Sequence, residues 1–299
     1  MMKILKNLVF GILLTSAHFT HAFDGYDHCD PCYDQNTCDF LCVDFCNMEF
    51  SVYADALFWH LHSTDLVLGD GSFDKLTPGN DWGWRVGGSA RWNVWDLSLR
   101  YTSFRSKADK EAHFDQVPIV AKYAFDYRVF DAELGASCCI CDGLLFRPFL
   151  GVKFANIDVT DDHVSELERD FTQGLDGSGL YIGASSHWKL CSFNACGCCI
   201  PVAFVCRMST GILDSDFTRT EPPAPTEKER RESKAFRFIP VHEVYAGLEF
   251  RMCVLCDADA FFQIGYEAQY WGWKGIAEDA LSHAYLGVGG LVLRLGANF

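Results

Sequence analysis

The chain has no long hydrophobic run. The apolar stretch Leu8 to Leu14 is far short of the roughly 20 residues that a membrane-spanning helix needs. A membrane location would therefore require a closed β-barrel, since lipid leaves no other way to satisfy the backbone polar groups. Basic residues are also few: 25 Lys and Arg against 40 Asp and Glu, a net charge of −15. That balance argues against nucleic-acid binding and against docking on anionic lipid surfaces. There is no G-x-S-x-G nucleophile motif, no glycine-rich phosphate loop and no calcium loop.

Cysteine, by contrast, is abundant, with 15 in 299 residues. A cytosolic protein would not normally carry so many unless they bound metal. The N-terminus points to export: Lys3 and Lys6 precede the apolar run, and Thr20-His21-Ala22 supplies small residues at the cleavage-relevant positions. This predicts a signal peptide over 1–22, with an uncleaved amphipathic N-terminus as the alternative. In an exported protein disulfides are the default, and an odd count leaves at least one thiol free or bonded to another protein.

What remains is strongly patterned. Aromatics make up 15% of the chain while its mean hydropathy is only +0.02, as expected of alternating strands whose two faces cancel. The length would also accommodate one or two soluble domains. Reading back from Phe299, the positions Ala297, Leu295, Leu293, Leu291, Gly289, Gly287 and Tyr285 are apolar or glycine, whereas Arg294 lies in the opposite phase. A strand with one apolar face that ends on an aromatic suits the closing strand of an outer-membrane barrel, with Phe299 as its insertion signal; a half-buried sandwich strand is the soluble alternative.

Period-2 patterning predicts about ten such segments. They begin with Glu49 to Leu61, Trp82 to Trp92 and Trp95 to Phe104, the last two joined by an Asn93-Val94 turn. The fourth, within Val117 to Ser137, changes phase near Val129-Phe130, which predicts a β-bulge or two short strands. The others are Leu144 to Asp158, Gly179 to Leu190, Ile200 to Leu213, Phe238 to Met252, Ala258 to Trp271 and the closing strand. Long polar connectors at 62–81, 105–117, 159–178, 214–237 and 272–283 alternate with short ones at 93–94, 138–143, 191–199 and 253–257. The acidic, proline-containing run from Asp214 to Lys234 reads as a solvated loop. The expected fold is all-β: a transmembrane up-and-down antiparallel barrel of about 10–12 strands, with short periplasmic turns and long extracellular loops. It would occupy 49–299, behind a Cys-rich periplasmic segment over 23–48.

On this topology Cys29, Cys32, Cys38, Cys42 and Cys46 precede the first strand. Cys138, Cys139 and Cys141 fall in one short turn, Cys191, Cys196, Cys198 and Cys199 in the next, and Cys253 and Cys256 at the last. Only Cys206 would lie inside a strand, so the other cysteines gather on the periplasmic side. Two readings stand together: stapling of turns within the chain, and disulfide cross-linking of the envelope between chains. Zinc binding by Cys29-x-x-Cys32 and Cys253-x-x-Cys256, or redox chemistry at those pairs, is disfavoured in an oxidising compartment and without a βαβ context.

The inward phase carries the candidate pore lining: Arg85, Arg91, Arg100, Arg128, Arg147, Lys153, Lys189, Arg207, Arg251 and Arg294, with Asp55, Asp96, Asp126, Glu243, Glu249, Asp259 and Glu267. Mixed charge can orient hydrated solutes. The same pairs can equally close a narrow barrel, because about eight strands already leave an interior just filled by side chains. The rival class, an outer-membrane enzyme, has only scattered histidines to draw on: His60, His62, His113, His163, His187, His242 and His283. Of these, His187 is expected to face the lumen as a wall residue, and Asp161-Asp162-His163 reads as a solvated turn. No catalytic role, metal or cofactor is expected.

Several segments together carry a family resemblance. These are Ala54-Asp55-Ala56-Leu57-Phe58-Trp59, Gly83-Trp84-Arg85-Val86-Gly87, Trp95 to Thr102, Arg147-Pro148-Phe149-Leu150-Gly151-Val152-Lys153, Gly265 to Trp271 and Gly287 to Phe299. In order and spacing they resemble the Legionella-type pore-forming major outer-membrane proteins and their relatives in chlamydia-like bacteria. The cysteine richness is similar to the chlamydia-like branch, where disulfide-linked envelope proteins are implied to reinforce the wall. The resemblance implies a general-diffusion porin with a structural envelope role. Its partners would be outer-membrane lipid, small hydrophilic solutes and disulfide-linked envelope proteins or further copies of itself. The alternative is a closed barrel serving as a surface antigen, adhesin or purely structural element.

Overall fold

A computed structural model describes residues 48–63, 81–114, 117–141, 143–164, 171–195, 198–221, 231–255, 258–272 and 286–299. The expected signal peptide and nearly all of the Cys-rich segment lie outside the described residues. The strands are β1 (Met48–Ser63), β2 (Asp81–Trp92), β3 (Trp95–Phe114), β4 (Val117–Ala136), β5 (Cys138–Cys141), β6 (Leu144–Val164), β7 (Phe171–Ala195), β8 (Cys198–Glu221), β9 (Arg231–Leu255), β10 (Ala258–Trp271) and β11 (Leu286–Asn298). Sequence neighbours pair antiparallel around the wall, β4 pairs with β6, and β1 pairs with β11. The short β5 continues β4 beyond Ser137 on β6, in the same register at Cys138 and Cys139 and with a shift before Cys141. The wall is thus a closed antiparallel barrel of ten strands. Asn93, with φ of 53°, takes the left-handed conformation that the β2–β3 turn requires.

The register sets the tilt. Hydrogen-bonded partners lead once around the wall from Leu61 through Val288, Gln269, Glu243, Ser209, Gly183, Phe149, Gly135, Asp96 and Arg91 to Glu49. The path leaves β1 at Leu61 and returns at Glu49, a shear of 12 residues (61 − 49 = 12). Over ten strands that shear tilts them by roughly 40°. On the outer wall, Trp82 to Trp92 spans ten steps (92 − 82 = 10). At about 3.3 Å per residue and that tilt, the two tryptophans are about 25 Å apart in height, the apolar band a bilayer needs. Between them the outward residues are apolar: Val52 on β1, Leu97 and Leu99 on β3, Leu134 on β4, Leu150 and Val152 on β6, and Leu248 on β9 are all exposed.

Three of the long connectors expected from sequence are largely strand. β3 and β4 remain paired up to Phe114 and Val117, β6 and β7 up to Asp161 and Phe171, and β8 and β9 up to Glu221 and Arg231. Of the acidic run, only 222–230 lies outside the described residues. The reason is a reversal of polarity. On β4 the inward sequence Glu133, Asp131 gives way to Val129, Tyr127, Phe125, while the outward Leu134, Phe130 gives way to Arg128, Asp126. On β6, inward Lys153 is followed by Ala155 and Ile157, and outward Phe154 by Asn156 and Asp158. The expected bulge near Val129-Phe130 is absent, since β4 pairs without a register shift on both sides. What changes there is the solvent outside, from lipid to water.

Glycines let neighbouring strands approach where large side chains face inward. A Cβ on Gly290 would collide with the backbone carbonyl of Phe58 on β1, opposite Trp59. Gly290→Val should therefore disturb the β1–β11 seam that closes the barrel. The expected loss is about 1–3 kcal/mol, the usual cost of overpacking, read as a lower urea midpoint for refolding into detergent. Gly174→Ala, whose nearest neighbour would be a side-chain oxygen of Asp158 at 3.2 Å, should stay within about 0.5 kcal/mol of the parent.

Candidate functional site in the barrel lumen

The lumen has two zones. The lower one, inside the apolar band, is a set of matched ion pairs reaching across from different strands. Arg85 on β2 donates to Glu267 on β10 through both terminal nitrogens, at 2.7 and 2.8 Å, and to Asp55 on β1 at 3.2 Å. Asp55 also accepts from Arg294 on β11 at 2.7 and 3.0 Å. Lys153 on β6 donates to Asp131 on β4 at 2.5 Å and to Glu243 on β9 at 2.7 Å. Arg100 on β3 bridges the same two carboxylates at 2.7 and 3.2 Å. Toward the turn side, Glu133 accepts from Arg207 and Arg147, and Arg147 also grips Asp96. Arg251 and Gln263 donate to Glu249, with His187 Nδ1 at 3.9 Å from the same carboxylate.

The central groups are dry, whereas Arg207, Arg251 and Arg294 at the edge of the set stay partly exposed. The side chains of Arg85, Asp55, Lys153 and Asp131 retain at most 1% of their accessible surface. Charges out of water are tolerable only when paired and hydrogen-bonded on every side. The network meets that condition: each cation has at least one carboxylate, and Tyr181 and Thr102 satisfy further oxygens and nitrogens.

Above the ion pairs sits an apolar plug. Leu57, Trp59, Leu61, Phe125, Tyr127, Ile157, Leu175, Leu213 and Trp271 face inward with no exposed surface. Trp59, Phe104, Phe125, Tyr127 and Trp271 pack ring to ring, at centroid distances of 5.6–6.2 Å. Burying side chains of this size contributes about 1.5–3 kcal/mol apiece. The two zones meet where the Tyr127 hydroxyl donates to Gln269 at 2.6 Å and Gln269 donates to Glu267 at 2.7 Å.

The structure brings together twelve of the candidate lining residues in this network: Asp55, Arg85, Asp96, Arg100, Arg147, Lys153, Arg207, Glu243, Glu249, Arg251, Glu267 and Arg294. Arg91 lies at the turn-side rim, half-exposed and 3.5 Å from Glu49, and Asp259 lies near the same end, opposite Asn298. Lys189 is exposed at the β7 hairpin end. Asp126 and Arg128 are corrected: they alternate with buried Phe125, Tyr127 and Val129 and stand on the outer wall, where they pair with each other and with Asp158 and Arg105. Assigning β4 two phases put these two inside and missed Asp131 and Glu133. A single uninterrupted alternation along β4 would have found both.

The cysteine placement also needs correction. Cys138, Cys139 and Cys141 form β5, Cys191 lies in β7, and the backbones of Cys198, Cys199 and Cys253 lie in β8 and β9; the hairpin strands run on through the expected turns. Cys138, Cys139, Cys141, Cys191 and Cys206 are all free thiols, and Cys139, Cys141 and Cys191 are exposed at the turn end. Cys29, Cys32, Cys38, Cys42, Cys46, Cys196 and Cys256 lie outside the described residues. Phe299 exchanges backbone hydrogen bonds with Phe50 at 2.8 and 3.1 Å, extending the β1–β11 seam, and its ring is exposed.

The family model described as Legionella pneumophila major outer membrane protein precursor matches residues 46–276. No curated protein matches the chain. Among solved structures, the outer membrane protease OmpT from Escherichia coli superposes with a TM-score of 0.51 at 9% identity, over 87% of this chain and 99% of that one. A major outer membrane protein from Thermus thermophilus gives 0.42 at 11% identity, over 85% and 100%. The translocator domain of the autotransporter NalP from Neisseria meningitidis gives 0.44 at 10% identity, over 86% and 90%. At such identities the likeness to OmpT is one of fold.

Lys153 offers a direct test of the network. Lys153→Met leaves Asp131 and Glu243 facing each other with one cation fewer, and should cost about 3–5 kcal/mol, as is usual for breaking a buried pair. Adding Asp131→Asn should recover a substantial part, a non-additivity that a double-mutant cycle in urea measures.

Proposed function

The chain belongs to the Legionella pneumophila major outer membrane protein family, and we propose that it serves the outer membrane as a closed-lumen structural barrel. Its location is the outer membrane of a Gram-negative bacterium. The observation that carries the proposal is the packed lumen: buried ion pairs at the level of the apolar band, with a dry aromatic plug above them. A diffusion channel would instead hold water against those side chains. In this reading the inward charges act as struts between strands and not as a selectivity filter. Contacts with other molecules fall to the extracellular wall and the turn side, with Phe299 as the insertion signal. No catalysis and no cofactor are part of the proposal.

Planar-bilayer recording separates this from a general-diffusion porin. The refolded protein should show no steady ohmic steps, whereas Trp59→Ala with Trp271→Ala, which empties the centre of the plug, should raise the frequency of conducting events. Steady conductance by the unaltered protein would overturn the closed reading in favour of the porin.

The exposed thiols favour a second, compatible role. Cys139, Cys141 and Cys191 stand free at the turn end, and an odd total leaves one cysteine without a partner in its own chain. We expect them to form disulfides with neighbouring envelope proteins or with another copy. On non-reducing gels of native envelopes, high-mass bands should collapse to monomer with reductant and weaken when the three are changed to Ser. A monomer band indifferent to reductant would rule the cross-linking out.

A further inference from the structure

We propose that the turn-side mouth of the lumen is the docking site of the chain's own acidic residues just ahead of β1, 38–47. The ion pairs of Arg85 and Lys153 are dry, and the aromatic plug above them has no exposed surface. Water therefore reaches the lower lumen from the turn side. There the lumen-facing arginines regain accessible surface: 13% of the side chain for Arg147, 19% for Arg207 and Arg294, and 36% for Arg251. Their carboxylates do not, since Asp55, Asp96, Glu133 and Glu249 keep 6% or less. The pairs are thus oriented, with the cation toward the water and the anion withdrawn. A set whose charges cancel presents a cationic floor. At the rim Arg91 is offset by Glu49, and Lys189 and Asp259 stand at the same end, so the floor decides the sign that the mouth attracts.

The floor also has donors left over. A guanidinium carries five N–H groups. Arg207 uses two of them on Glu133, and Arg294 uses two on Asp55. Rings hold both guanidinium groups in place, Arg207 over Phe149 at 4.2 Å and Arg294 over Tyr53 at 3.9 Å. Carboxylates match fixed donors of this kind through charge-assisted hydrogen bonds. Charge and connection then name the occupant. Residues 23–47 contain six Asp and no Lys or Arg, and Asp39 and Asp44 fall within 38–47. The chain enters the wall at Met48, on the rim of this mouth, where Glu49 meets Arg91. Ten residues (38–47) reach at most about 35 Å. Ten strands at this tilt enclose an interior about 20 Å across between backbones, so the segment is long enough to lie over the whole opening. Its tether gives it an effective concentration near millimolar, with which a free anion must compete.

The test is amide hydrogen exchange, read by mass spectrometry on the full chain refolded in detergent, with thiols kept reduced so that no disulfide contributes. Rates over 38–47 are referred to a free peptide of the same sequence. At low ionic strength they should be slowed about tenfold, as expected for one charge-assisted hydrogen bond. In 1 M salt, where the Debye length falls to about 3 Å, the slowing should be lost. Asp39→Asn with Asp44→Asn should abolish it at low salt while keeping the heat-modifiable migration of a folded barrel. The salt comparison needs no variant, so it decides even if the double variant does not fold. Exchange at the peptide's own rate in the unaltered chain would overturn the docking, as would slowing indifferent to salt or, in a folded double variant, to the substitutions. Slowing that appears only as protein concentration rises would also overturn it, and would assign the mouth to the acidic segment of a second copy. Conductance does not enter these readings, so this docking and the closed lumen stand or fall separately.

Discussion

Everything in this molecule depends on closing the sheet with ten strands. In lipid an open edge would leave a row of backbone donors and acceptors unpaired, so β4 must find β6 and β11 must find β1. Closure at ten strands with a shear of 12 leaves an interior only slightly wider than one filled by side chains. At that width an arginine on one strand reaches carboxylates across the lumen, as Arg85 on β2 reaches Glu267 on β10. The ion-pair network is a consequence of barrel size. The same alternation of charges on a wider barrel would face water.

The second constraint is that the wall outgrows the membrane. Below the boundary, lipid requires an apolar exterior, and the interior is left for polar groups that must pair. Above it, water accepts charge outside, and the interior becomes the place to bury aromatic surface. Phe130 and Arg128 are neighbours on one face of β4, as are Asp131 and Val129 on the other; between them the strand passes from one solvent to the other. The upper barrel is therefore built like a small water-soluble domain, with Trp59, Tyr127 and Trp271 in its core. The lower barrel is inverted.

This inversion explains what could be read from the sequence and what could not. Segments wholly inside the band, such as Trp82 to Trp92 and Phe262 to Tyr270, alternate in one sense, and their faces follow directly from the residues. The same holds for Asp55, Glu267 and Arg294, each charged on a strand whose opposite face is apolar. β4 crosses the boundary, so an unbroken strand looks like one with a slip, and Asp131 and Glu133 are lost while Asp126 and Arg128 are gained in error. β3, β6, β7, β8 and β9 also continue above the boundary, where polar residues alternate with apolar ones in the opposite sense and read as loop. The pairing partners within the network were beyond reach, because they depend on a shear that no single strand contains.

The two zones also bear on opening. For the lumen to admit water along its length, both must give way together. Breaking one buried pair costs about 3–5 kcal/mol, and emptying the site of a large buried aromatic costs a similar amount. The pairs are coupled: Glu243 holds Lys153 and Arg100, and Asp131 holds the same two cations. Rotating one side chain away therefore strands others, and the cost rises faster than a sum over single residues. Disturbing one residue in each zone already costs more than about 6 kcal/mol, which at equilibrium leaves the open form below about one part in 10⁴. Thermal motion of side chains does not supply it. An open state would have to come from a rearrangement of the wall itself, such as a change in the β1–β11 seam that resets the strand register and widens the lumen in one step.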